Sequence, residues 1–199
     1  MQPTVAGRLP RTVLVLGFVS LLNDAASEMI TPLLPLFLTV ALGAGPAIVG
    51  VVEGVAEATA SVLKVVSGRL ADRGLGGRRL VLGGYSLSVL VRPAVAVATA
   101  WGFVLALRFL DRVGKGLRTA PRDAMIAAAV PAGARGGAFG FQRTMDHAGA
   151  VIGPLCAFAL LTAGSELSSV FLWSLVPGLA VLALIVLGLL ISIPLIIYG

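Results

Sequence analysis

"WGFVLALRFLDRVGKGLRTAPRDA", residues 101–124, begins as an apolar helix and ends as a run of charge. Its second part, "DRVGKGLRTAPRDA" (111–124), has six charged side chains in fourteen residues, in a chain that is 58% hydrophobic and only 12% charged. A mean hydropathy of +1.02 excludes a soluble globular domain. The apolar part therefore reads as a helix entering lipid, and the charged part must face either water or other charges.

Turn signals and charge clusters divide the 199 residues into six predicted spans, each at least the roughly 20 residues that cross a hydrocarbon core, and several longer, so that tilt or overhang is expected. They run from Thr12 to Leu42, Pro46 to Leu70, Leu80 to Ala100, Trp101 to about Pro121, Arg135 to about "TAGSE", and Leu167 to about Ile197. The first apolar run is too long for a signal-peptide core and has no small-residue cleavage site after it, so it is expected to stay as a spanning helix. "PLLPLF" (32–37) predicts a kink in it.

Basic residues give the orientation. Arg8 and Arg11 precede the first span. Arg69, Arg73, Arg78 and Arg79 lie between the second and third, and Arg118, Arg122 and Arg135 between the fourth and fifth. The alternate connections "GAGP", "ATAWG" and "TAGSELSS" have no Lys or Arg. By the positive-inside rule both termini are cytoplasmic, in a multi-pass protein of the inner (plasma) membrane. This asymmetry accounts for most of the +6 net charge without nucleic acid as a partner. The single cysteine, Cys156, excludes an intrachain disulfide and a Cys cluster for metal, and reads as a buried small hydrophobe.

Polar groups gather on four spans: Asn23, Asp24, Ser27 and Glu28; Glu53, Glu57 and Lys64; Arg108, Asp111, Arg112 and Lys115; Gln142, Arg143, Asp146 and His147. The spacings are three and four, which gives each helix one polar stripe. Asp24, Glu57, Asp111 and Asp146 fall about eleven or twelve residues into their spans, roughly 16–18 Å deep at about 1.5 Å per residue. Charges at that depth cost about 3 kcal/mol each, so they are expected to face one another or a water-filled cavity. The third span has only Arg92, expected to snorkel or to pair with an acid of a neighbouring helix, and the sixth has no ionisable group after Glu166. The profile charged, charged, apolar thus occurs twice, in residues 12–100 and 101–198, which predicts one domain (1–199) of two three-helix units.

Three stretches resemble the major facilitator superfamily of transporters. "GRLADRGLGGRR" (68–79) is similar to its loop between the second and third helices, "RVGKGLRTA" (112–120) to its fourth-helix motif with Lys115 where glutamine is usual, and "GAVIGP" (149–154) to the fifth-helix motif of antiporters. The resemblance implies an all-α integral membrane protein, six transmembrane helices forming the N-terminal half of that fold as two inverted three-helix repeats. It implies a cytoplasmic latch of Gly68, Asp72, Arg73, Arg78 and Arg79 with Asp123 as partner, and proton coupling at Arg112 beside Asp111. Gly149, Gly153 and Pro154 would shape the fifth helix where two halves meet. The candidate proton and substrate pathway is Asp24, Glu28, Glu53, Glu57, Arg108, Asp111, Arg112, Lys115, Arg143, Asp146 and His147.

Family members usually have a second six-helix half. The expectation is a half-transporter completed by a second copy, as a homodimer, or by a separately encoded half, exporting small molecules in exchange for protons, with no cofactor or metal. A truncated fragment, or a non-transporting subunit that assembles with another transporter, is the competing reading. "GKG" is not a phosphate loop, lacking the upstream glycine and the hydroxyl of G-x-x-x-x-G-K-[ST]. H-E-x-x-H and G-x-S-x-G are absent too, so no enzyme is expected.

Overall fold

The computed structural model describes residues 9–73 and 76–192. The side chains of Asp72 and residues 189–192 are outside it, as is Arg8, so the aspartate of the expected latch lies outside the described residues. Among the described residues every regular element is helical: α1 (Arg11–Glu28), α2 (Leu34–Leu36), α3 (Pro46–Asp72), α4 (Gly77–Val91), α5 (Trp101–Ala128), α6 (Arg135–Thr162), α7 (Leu167–Trp173) and α8 (Leu175–Ser192). A π-helical turn (Phe37–Ala41) follows α2, and 3₁₀ turns cover Arg92–Val97 and Ala132–Ala134.

Prolines set most of the departures from six unbroken spans, because each removes an N–H from the helical ladder. Pro32 cannot donate to Glu28, and α1 stops there, before the kink expected at "PLLPLF". Pro93 cannot donate to Val89, and α4 tightens into the 3₁₀ turn. Pro177 cannot donate to Trp173, so the expected single sixth span divides at Ser174. Pro121 behaves differently. The fourth span was expected to end near it, yet α5 continues to Ala128 with Pro121 buried inside. Neighbouring helices make such an interior proline tolerable by holding the chain on both sides of it.

The helices pair across the chain rather than along it. Helix α1 packs on α6, α3 on α5, α4 also on α5, and α8 against both α1 and α4. This pattern maps onto itself when α1, α3 and α4 are exchanged with α5, α6 and α8. Segments 77–97, 132–162 and 167–188 are long and apolar enough to cross a membrane by length and composition. Helices α3 and α5, with 27 and 28 residues, are about 40 Å long and differ in carrying the charges. The exterior is apolar, with Leu90, Leu155, Phe158 and Leu179 all more than half exposed.

Two clusters fill the ends of the bundle. One joins Ile30, Leu34, Phe37, Val52, Val95, Val104 and Phe171, with Phe37 and Phe171 edge to face at 5.2 Å between ring centroids. Another joins Val13, Leu16, Ile126, Val130 and Ala138. Small residues let the backbones approach between them. A Cβ at Gly149 would run into the Leu21 carbonyl, and one at Gly153 into the Ala25 carbonyl, both on α1. Substituting valine at Gly149 should therefore separate α1 from α6, lowering the melting temperature in detergent and the yield of monodisperse protein. Alanine at Gly83, where a Cβ meets open space, should leave both unchanged.

Candidate functional site

The 3₁₀ turn after α4 points one arginine into the middle of the bundle. Arg92 donates from Nε to Asp111 Oδ1 at 2.9 Å, and from Nη1 to the Asn23 carbonyl at 3.1 Å and the Asn23 side-chain oxygen at 3.0 Å. One guanidinium thus joins α1, the end of α4 and α5. Arg92 and Asp111 are 5% and 2% exposed, so this pair is sealed from solvent. Of the two outcomes foreseen for Arg92, pairing is the one observed.

A second arginine extends the network towards α3. Arg108 Nη2 donates to both carboxylate oxygens of Glu53, at 2.9 and 2.8 Å, and its Nη1 stands 4.0 Å from Asp111 Oδ2. Arg108 is buried, whereas the Glu53 side chain is 37% exposed. The ion pair therefore runs from the dry core to an open side. A small cavity, with room for about one water molecule, lies beside it between Ser27, Ile30, Arg92, Val95, Leu107, Arg108 and Asp111. Arg108 Nε and Asp111 Oδ2 are buried beside it without hydrogen-bond partners among the described residues.

Further along α5, Arg118 was expected in the basic connection between the fourth and fifth spans. It is instead buried, donating to Ser88 Oγ at 2.6 Å and to the Gly84 carbonyl at 3.4 Å, with its guanidinium 4.6 Å from the centre of the Tyr85 ring. The aromatic face supplies the attraction a carboxylate would otherwise give. Arg122 reaches Ser20 Oγ at 3.0 Å and Asp123 at 3.0 Å, and stands 3.9 Å from Asp146. Gln142 donates to Ser20 Oγ and, at 3.0 Å, to Asp146. Asp123, expected to meet the loop motif, pairs with Arg122 of its own helix. Arg73 and Arg79 are exposed and Arg78 is half-buried, while Gly68 faces Ala120 of α5.

The remaining predicted pathway residues are not tied down. Glu57, Lys115 and His147 are exposed, and Asp24 and Glu28 are half-buried. Asp24 accepts a hydrogen bond from Asn23 at 3.0 Å. Arg143 is largely exposed and only approaches Asp146, at 4.0 Å. Arg112, 7% exposed, has a buried Nε with no partner. Glu28 lies within electrostatic range of Arg112, Lys115 and Arg108, and Lys115 within range of Asp24 and Glu57. The predicted stripes thus separate into a sealed, paired group around Asp111 and an unpaired group on the open side of α1, α3, α5 and α6. Pro154 is half-buried within α6.

Ser20, Ser88 and Tyr85 hold this network together and were not picked out from the sequence. Ser88 stands four residues before Arg92, a spacing that puts both on one face, and that was the available signal. Cys156, expected to be buried, is exposed.

Comparison with known proteins agrees with this architecture. The family model for the Major Facilitator Superfamily matches residues 16–196. An uncharacterised MFS-type transporter of Methanocaldococcus jannaschii is 39% identical over 145 residues, 73% of this chain and 36% of that protein. Uncharacterised proteins of Mycobacterium bovis and Mycobacterium tuberculosis are each 37% identical over 180 residues, 88% of this chain and 43% of their own length. The chain belongs to the major facilitator superfamily. It spans less than half the length of these relatives.

Breaking a buried ion pair strands the surviving charge, at a cost of about 3–5 kcal/mol. Arg92→Leu and Asp111→Asn should each lower the unfolding temperature strongly. The double substitution should lose clearly less than the two single losses added together, as measured by thermal unfolding in one detergent.

Proposed function

We propose that this member of the major facilitator superfamily is one six-helix half of a proton-coupled secondary transporter that exports small molecules by alternating access. In this reading all six spans cross the inner membrane with both termini cytoplasmic. They form two inverted three-helix units, 12–100 and 101–198, and the exchange symmetry of the helix packing supports this. The basic residues of the alternate connections support the orientation.

The observation that carries the reading is the split within the polar stripes. Asp111 and Glu53 are committed to arginines. Asp24, Glu28, Glu57, Lys115 and His147 make no ion pair among the described residues and are exposed or half-buried, on a side that in our reading is open to water. Groups that only lock helices together have no reason to stay unpaired at a depth where each charge costs about 3 kcal/mol. A hydrated pathway is what makes them tolerable, and groups of this kind can exchange protons and contact cargo.

The same side lacks a lid. Gly50 and Gly54 on α3, and Gly137 and Gly140 on α6, meet nothing within 4 Å, although small residues at these spacings suit close helix contact. A second six-helix half closes the pathway in our reading. It belongs to a second copy of the chain, to a separately encoded partner or to a longer form of the same polypeptide, and is related by an axis along the membrane normal.

The test is flux in proteoliposomes under an imposed pH gradient, using a panel of small organic cations, anions and zwitterions. At least one compound should drive proton movement. Glu57→Gln should reduce that movement about tenfold or more without lowering the unfolding temperature. Glu166→Gln, on an exposed connection, should change neither. Absence of flux across the whole panel, with the protein folded and bound to another membrane protein, would favour the subunit reading.

A further inference from the structure

We infer that the cargo carries an acidic group, a carboxylate or a phosphate, and that Arg112 and Lys115 hold it. The inference rests on the transport reading and names the chemistry of its substrate.

Arg112 is the one arginine of the α5 stripe that is buried and makes no hydrogen bond or ion pair among the described residues. The acids nearest to it are engaged elsewhere: Asp111 with Arg92, and Glu53 with Arg108. Glu57 of α3 and Glu28 of α1 act on Arg112 only at a distance. No α6 carboxylate contacts it either, because Asp146 faces Arg122 and Arg143. Its Nε is buried without an acceptor, which is unfavourable, and the planar fork of a guanidinium fits one carboxylate or phosphate through two parallel hydrogen bonds. Lys115 follows three residues later on the same helix face and is exposed on the open side. An anion entering from that side meets Lys115 first and Arg112 behind it.

The opposite assignment, a cationic cargo on Glu28 or Glu57, is less well supported by the same geometry. Glu57 is exposed and Glu28 half-buried, so water satisfies them when no cargo is present. The buried Nε of Arg112 lacks that option. A cation brought into the site would also face Arg108, Arg112 and Lys115 together.

Three probes sharing one ring isolate the head group: benzoate, benzylammonium and benzyl alcohol, added at millimolar concentration to the chain in lipid nanodiscs. Benzoate should raise the unfolding temperature, and the other two should not. Arg112→Gln and Lys115→Gln should each weaken the apparent affinity for benzoate about tenfold or more. Arg112→Lys should retain part of it, and Arg135→Gln, an exposed arginine outside the site, all of it. Stabilisation by benzylammonium in place of benzoate overturns the inference using the unaltered chain alone. So does undiminished benzoate binding in Arg112→Gln. Flux in proteoliposomes separates the two levels. Exchange of benzylammonium for protons with no binding of benzoate leaves transport standing and removes the acidic cargo. Benzoate bound through Arg112 while none of the three probes crosses does the reverse.

Discussion

One guanidinium connects the three parts of the chain that have to meet. Arg92 reaches the Asp111 carboxylate on α5 and two oxygens of Asn23 on α1 from the turn where α4 loses its helical ladder at Pro93. In a medium without water a charge must find its partners within the protein, so this node fixes the rotation of α1 and α5 about their axes. The consequences spread along both helices. With Asp111 facing Arg92, the three-and-four spacing of α5 puts Arg108 against α3 and Arg118 against Ser88 and Tyr85. With Asn23 turned towards Arg92, Asp24 and Glu28 face the other way, and Ser20 lies within reach of Arg122 and Gln142.

The apolar helices complete the arrangement by standing behind it. Helices α4 and α8, which lack charged stripes, pack on α5 and α1 and on each other. Close glycine contacts then bring α6 onto α1, and Gly116 of α5 onto Ala60 and Leu63 of α3. Of the four polar helices, α1 and α5 are therefore backed by apolar ones, and α3 and α6 pack on α5 and α1. Their open side holds the unpaired acids, Lys115, His147 and glycines with open space around them. Static pairing supplies the frame, and in the proposed reading the groups it leaves over supply the chemistry.

Much of this was legible in the residues. The charged stripes, their spacing and the resemblance of three motifs led to a helical membrane protein of the major facilitator superfamily, and the family match covers residues 16–196. Helix ends were less accessible, since a proline in sequence does not reveal whether its neighbours will hold the helix together. Pro121 stays inside α5 while Pro32 and Pro177 coincide with breaks. The division of charge was hidden for a related reason. Spacing puts Asp111 and Lys115 on one face, but only the position of Arg92, nineteen residues before Asp111, decides which of them is sealed. Arg118 likewise read as a residue of the basic connection because its partners, Ser88 and the ring of Tyr85, carry no charge.

The central claim is that the unpaired side of α1, α3, α5 and α6 faces water within the membrane. Cysteine accessibility tests it most directly. In a Cys156→Ser background, Glu57→Cys, Lys115→Cys and His147→Cys are treated with a membrane-impermeant thiol reagent in liposomes, with Leu90→Cys and Leu179→Cys as controls on the apolar exterior. The account predicts rapid labelling at the first three positions and none at the two controls. Failure to label at 57, 115 and 147, together with quenching there by nitroxide-bearing lipid tails, would mean that these side chains face the bilayer and would contradict it.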